Sequence, residues 1–506
     1  MVKLFKPTSY RSAAALAVGA TALWKGISFI NALLLAAYFG ASRATDLYFY
    51  LILTTGVAWF FVQRLNAAVI IPHAMTLETT QPNSGRALLN GYLYVYIVLA
   101  ACLIGLGICA PVQSIALFSR FSTTYLETQR TLITWAFVFF ALQILTTYLL
   151  AILEMHKRFA TALFTPLNAL MPLLFLLCLG RTHGVISMLY GFVVSYAAQV
   201  LIYSITLKKE LGWTLTRGEI YHSAAFAKNL VSNQCMELAN IVSGVLPLYL
   251  LSGLGTGVVS ALNYARQLSD SSTEVFTLRI TNVSKIQLTE LAAQNNWPAF
   301  NKAYNTTHFA LWFLLTPLSV FSIFYAPEII TLFFSRGAFS ATDARESAAF
   351  LRPLLGLVWL MVPILMQSNI VAATRKLKEF FPYALAGILL FIVSVPFTVN
   401  VWGALAYPYT QLVCCAAGQF INWMFLRKYL PGFYIKPAFT DGLRLVGFNL
   451  ISLVPAILCT HFLAGQTAWM VLLVGGLIYV AVLAALTYYS SDFKRFLQVA
   501  SSHNPS

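Results

Sequence analysis

"APVQSIALFSR" at 110–120 and "APEIITLFFSR" at 326–336 align without gaps, with Ala, Pro, Phe, Ser and Arg identical and an offset of 216 residues. Five identities in eleven carry little weight in a chain rich in Leu, Phe and Ala, so the weight falls on where the two copies stand. Each closes the third apolar span of a block of six, and with six spans between them both copies face the same side of a membrane. Blocks 13–206 and 226–426 are therefore expected to be parallel repeats, related by an axis along the membrane normal, with a cavity where they meet.

The spans come from apolar runs of about 20 residues, the length a helix needs to cross the hydrocarbon layer. Charge and turn breaks divide the chain into 13–39, 46–72, 88–115, 131–153, 160–180, 184–206, 226–250, 257–280, 305–326, 348–371, 381–398, 401–426, 443–462 and 467–489. The expected fold is an all-α polytopic membrane protein of about 14 transmembrane helices, two six-helix lobes plus two C-terminal helices. Its domains are 1–206, 207–426 and 427–506. Tight turns are expected near 40–45, 251–256, 399–400 and 463–466, and surface helices or loops near 207–225 and 281–304.

Composition agrees. Of the 506 residues 59% are apolar and 9% charged, where a soluble domain carries roughly 25% charged residues. An ordinary cytosolic enzyme is excluded. The net charge of +16 comes from basic residues in the short breaks between apolar runs, which points to a cytoplasmic membrane face and not to nucleic acid. With the N-terminus inside, 21 basic residues fall on inner segments, among them Arg86, Lys157, Arg158, Arg375, Lys376, Lys378, Arg427 and Lys428, and 7 on outer ones. Both termini are thereby expected in the cytoplasm. The seven cysteines lie in or beside apolar runs without metal-type spacing and read as small buried hydrophobes. The first apolar stretch, to about Tyr38, is too long for a signal segment and reads as a retained span.

Charges inside spans are costly unless they face protein or water, so they mark a candidate path. Lys25 sits near the middle of the first span, with Asn31 about two turns outward; Asp46 opens the second and Arg64 lies toward its inner half. The seventh span carries Asn229, Asn233, Glu237 and Asn240 on one helical stripe, with Gln234 at its edge. The eighth carries Arg266, Asp270 and Glu274 at intervals of four, with Gln267 and Ser271 adjacent. Arg266 can pair with Asp270 one turn on, leaving Glu274 to Arg64, Lys25, a proton or a substrate. The stretch near Thr45 also allows Asp46 to satisfy free amides at a helix start. Walker, dinucleotide, nucleophile-elbow and metalloprotease motifs are absent, so no cofactor, no metal and no enzymatic activity are expected, and transport driven by membrane potential or a coupled ion is favoured over ATP hydrolysis.

"LAAYFGASRATDLYF" at 35–49, "SALNYARQL" at 260–268 and "APEIITLFFSRGAFSATDA" at 326–344 resemble the MurJ/MviN family of lipid II flippases, within the multidrug/oligosaccharidyl-lipid/polysaccharide exporter superfamily. The resemblance implies a bacterial inner-membrane protein whose two lobes form a V around a cationic cavity. That cavity binds the diphosphate and sugars of an undecaprenyl-linked precursor, and the last two helices shape a groove for its lipid tail. On this pattern Lys25 keeps the family's early basic residue, Asn31 stands at the next, and Asp46 matches the aspartate opening the second helix. The family's arginine pair falls around Trp59 and Phe60 and the acid beyond it near Gln63 or Arg64. In the eighth helix Ala265, Arg266 and Gln267 stand where the family reads Ala-Asp-Arg. The substrate-binding set expected is Lys25, Asn31, Asp46, Arg64, Asn233, Glu237, Arg266, Gln267, Asp270 and Glu274. The function implied is a flippase for an undecaprenyl-diphosphate-linked glycan, lipid II among the cargoes. The alternatives are an exporter of another lipid-linked oligosaccharide and a non-transporting membrane scaffold. Partners expected are that glycan, membrane lipids, and cell-wall or polysaccharide synthesis enzymes, with no nucleic acid.

Overall fold

The structure is a computed structural model. It describes residues 10–502 apart from 82, 216–217, 220–223, 431–432, 434–435 and 464, with side chains left out at 10–18, 160, 162, 224–233, 235, 272–283, 436 and 498–502. The described residues form long helices at α1 Tyr10–Phe39, α2 Arg43–Thr80, α3 Ser84–Cys109, α4 Arg130–Met155, α5 Leu167–His183, α6 Ile186–Leu211, α7 Ala224–Leu251, α8 Val258–Ala293, α9 Trp297–Phe324, α10 Ala341–Ala373, α11 Leu377–Trp402, α12 Ala406–Tyr429, α13 Lys436–His461 and α14 Ala468–Tyr489. Ten of them are long and apolar enough to cross a membrane, and the apolar helices Leu167–His183 and Met236–Leu251 are shorter. The chain is a multi-pass membrane protein.

Two compact units divide the chain: residues 1–260 with 337–339, and residues 261–336 with 340–506. In the first, α7 packs along α2, while α3, α4 and α6 enclose a core that includes Tyr96, Ile144, Tyr148, Leu153, Tyr203 and Trp213. In the second, α13 lies against α9 and α14 against α13, around Tyr325, Leu453, Ala456 and Tyr479. The Trp312 ring stacks on Trp359 at 4.9 Å and lies so close to α13 that a Cβ on Gly442 would sit 1.8 Å from it; only glycine fits there. The start of α13 is tied to the C-terminal helix Asp492–Ser502 by Arg444 on Asp492 at 2.5 Å and Arg495 on Asp441 at 2.8 Å.

Several expectations need correcting. The two repeat copies do not close the spans before them: each folds as a separate short helix, Pro111–Phe118 after α3 and Ala326–Phe334 after α9, because proline lacks the N–H that would continue the preceding helix and is at home in a first turn. The shared pattern runs on, with Ser122 and Ser340 at the N-caps of the helices that follow. Of the helix or loop expected over 281–304 the structure has helix, but continuous with the span: α8 runs unbroken to Ala293 and turns tightly at Asn295 (φ 55°) into α9. The break expected at 399–400 falls at Gly403 (φ 78°), after α11. Of the cysteines, Cys102, Cys109, Cys178 and Cys459 are exposed and only Cys414 is buried, while Cys235 lies outside the described side chains. In a membrane protein, apolar residues face lipid as readily as the core, as Val393, Phe397 and Trp402 do along α11.

Candidate functional site

In the first unit, α2 starts with a capping box of its own, Ser42 accepting from Thr45 N–H and Thr45 from Ser42 N–H. The next carboxylate, Asp46, is therefore free to serve another helix. It is 1% exposed and accepts from Gly257 N–H at 2.5 Å and from Ser260 N–H and hydroxyl at 2.8 and 2.7 Å, capping the start of α8. Thr45 Oγ1 and Ser260 Oγ join the network at 2.9 Å. Gly257 (φ 89°) makes the approach possible, since a Cβ there would meet the Ala41 carbonyl at 2.8 Å. Helix-start capping does apply to Asp46, but on a helix 211 residues away and not at its own.

Asn31 is 6% exposed and donates its amide to the Ala169 carbonyl at 2.8 Å, pinning α1 to α5. Lys25, half-buried on α1, holds its ammonium 4.9 Å from the Trp24 ring centroid. Arg64 Nη1 pairs with Glu237 Oε1 at 3.2 Å; the arginine side chain is 65% exposed and the glutamate 14%. Asn240 adds an amide to the other glutamate oxygen at 3.3 Å. The stripe read along α7 thus carries a neutralised ion pair, with Glu237 as the partner of Arg64. A π-helical turn at Asn66–Ile70 follows Arg64. Pro72 lies just beyond, and its ring would crowd the carbonyl four residues back in an ordinary turn. Asn66, 1% exposed, is anchored by the Tyr96 hydroxyl at 2.8 Å. The side chains of Asn229, Asn233 and Glu274 lie outside those described.

In the second unit, the Ala261–Ala265–Ser269 stripe of α8 is buried, Arg266 and Gln267 are half-buried and Asp270 is exposed. The partner of Arg266 is Tyr407 at the start of α12: its guanidinium donates to the phenol oxygen and sits 5.5 Å from the ring centroid. The pairing expected within α8, Arg266 with Asp270, gives way to a neutral partner from another helix. Helical period reveals which residues share a stripe and cannot reveal that Tyr407 will come to meet them; no local signal marks it.

Among the described residues, long apolar helices broken at proline and charges held within them define an all-helical multi-pass membrane protein. A family model described as "Lipid II flippase MurJ" matches residues 35–488, so the chain belongs to the MurJ family, whose members are transporters and not enzymes. Among solved structures, a lipid II flippase MurJ in an inward closed conformation matches with TM-score 0.74 at 20% identity, covering 94% of this chain and 99% of that one. An inward-facing multidrug resistance MATE family transporter of the MOP superfamily follows at TM-score 0.57, 14% identity and coverage of 82% and 94%. The Vibrio cholerae MATE transporter VcmN in its bent form gives 0.51, 11%, and 84% and 100%. A sequence comparison with curated proteins gives no match.

Proposed function

We propose that this protein moves an undecaprenyl-diphosphate-linked glycan precursor, of the lipid II kind, from the cytoplasmic to the outer leaflet of the bacterial inner membrane. It does so by alternating access between lobes 1–206 and 207–426, with residues 427–506 serving the lipid tail and both termini in the cytoplasm. The observation that carries the reading is the family match over residues 35–488. The cations Lys25, Arg64 and Arg266 support it, because a diphosphate head needs fixed positive charge in a medium of low dielectric. Asn31 and Asp46, spent on helix contacts, fall to positioning roles, while Glu237, Gln267 and Asp270 stay with the cations in the proposed set.

A second reading has its own support. Gln63 or Arg64 stands where the family pattern carries an acid and Gln267 where it carries an arginine, which suits a lipid-linked oligosaccharide other than lipid II. One experiment separates the two: depletion of the protein, followed by identification of the lipid-linked glycan that accumulates on the cytoplasmic leaflet. Accumulated lipid II supports the first reading, another oligosaccharide the second, and no accumulated lipid-linked glycan overturns both.

A further inference from the structure

The two repeats end matching helices in the same way but with opposite electrostatic outcomes. Phe121 and Phe339 lie 218 residues apart, as do the helix-end pairs Lys157–Arg158 and Arg375–Lys376. Lys157 (φ 59°) and Arg375 (φ 56°) both occupy the left-handed conformation just past a helix, and the N–H that follows reaches back five residues, Arg158 to the Leu153 carbonyl and Lys376 to that of Val371. Glycine is the usual occupant of that position and spares the cost of a Cβ, so a basic side chain there is kept in spite of the backbone.

In the first unit the charge is answered: Arg158 lies 3.8 Å from Glu210 near the end of α6, both side chains largely buried. The position 218 residues beyond Glu210 is Lys428, near the end of α12. In place of a carboxylate the second unit therefore has another cation, and Arg427 precedes it.

A cavity of about 670 Å³ within the second unit is lined by Asn295, Trp297, Arg375, Lys376, Tyr429 and Phe433 among others, and no carboxylate occurs among its described lining residues; Arg427 and Lys428 do not line it but directly precede Tyr429 in the chain. Lys376 is spent on the Tyr429 carbonyl. The Lys428 ammonium sits 5.2 Å from the centroid of the Tyr429 ring, and Arg427 lies over Trp423 at 5.6 Å. Next to this cationic end, Phe420, Trp423 and Met424 of α12 and Leu377 of α11 are exposed apolar surface. Basic residues and tryptophan meeting apolar helix surface mark the level where headgroups give way to hydrocarbon.

We propose that this cavity binds the phosphate of an anionic membrane lipid, with Arg375 of its lining and the neighbouring Lys428 as the recognising cations, the lipid phosphate supplying the negative charge that Glu210 supplies in the first unit. The acyl chains lie along the exposed face of α12. The site is separate from the cargo path and does not depend on which glycan is carried.

The test is native mass spectrometry of the full-length protein titrated with phosphatidylglycerol and, separately, phosphatidylcholine. The wild type should retain phosphatidylglycerol preferentially. Arg375→Gln should weaken that retention about fivefold, the factor associated with one cation at a membrane surface, and Lys428→Glu, which installs the first unit's charge, by at least as much. Arg375→Lys should keep it. Phosphatidylcholine binding and thermal unfolding should not move in any of them. Arg158→Gln in the first unit should leave the preference unchanged. An unchanged preference in both Arg375→Gln and Lys428→Glu, or an equal loss in Arg158→Gln, would overturn the site. Displacement of the lipid by inorganic phosphate as readily as by phosphatidylglycerol would assign it to a free anion instead.

Discussion

Arg64 and Arg266 are both arginines set within long helices of a membrane protein, yet the structure treats their charges differently. Arg64 lies against Glu237, so the pair is neutral although the arginine is largely open. Arg266 is more enclosed and rests on a phenol, which accepts a hydrogen bond and offers a ring face but leaves the positive charge intact. What holds an arginine in place and what neutralises it are separable, and only the second decides whether an anion finds a full charge waiting. By this argument Arg266 is the stronger candidate for a diphosphate and Arg64 the weaker.

The largest effect should come from Arg266→Ala, which should cut transport of the lipid-linked glycan in reconstituted vesicles by roughly ten- to a hundredfold, the range for one charged hydrogen bond. Protein abundance should hold, and Arg266→Lys should recover part of the loss, keeping the charge without the bidentate fork. Adding Asp270→Asn tests whether the arginine merely steadies that carboxylate: recovery of both abundance and transport in the double variant would break the contrast between the two arginines.

Asp46 supplies a charged reference whose whole capacity goes to a helix end. Asp46→Ala should lower stability by about 1–3 kcal/mol, because Gly257 and Ser260 lose a buried acceptor, as read by thermal unfolding in detergent. Asp46→Asn should cost less, since the amide oxygen still accepts. An Asn variant that keeps full stability and loses transport would show that the carboxylate does more than cap α8.

The smallest effect is expected at Glu237. Glu237→Gln should change stability by under about 1 kcal/mol, as for other open ion pairs, and should free the charge of Arg64. Binding of the anionic cargo should tighten about two- to fivefold, measured by titration of purified protein. No tightening would mean that Arg64 is not presented to the cargo, and Arg266 would then stand alone of the two.

Membrane residence and the succession of long apolar helices were legible because they depend on runs of apolar residues along one chain. The short helices at Pro111 and at Ala326–Pro327 were legible too, had the prolines been given more weight than the continuity of the apolar run. The site was legible only as a set of costly charges. Stripe positions along α7 and α8 followed from helical period, but each partner stands elsewhere in the chain: Glu237 for Arg64, Tyr407 for Arg266, Ser260 for Asp46.

The amino-acid sequence by itself determined that this is a many-helix membrane protein, because hydrophobicity and helix-breaking residues act locally and need no knowledge of neighbours. Tertiary structure alone decided which charges are spent and which are kept. Asp46 is consumed by amides of a helix 211 residues away and Arg64 by a carboxylate on α7, whereas among the described residues Arg266 meets only a phenol. Pairing depends on distances across space, and at fixed separation the Coulomb energy depends on the local dielectric; neither quantity is written in the order of residues along the chain.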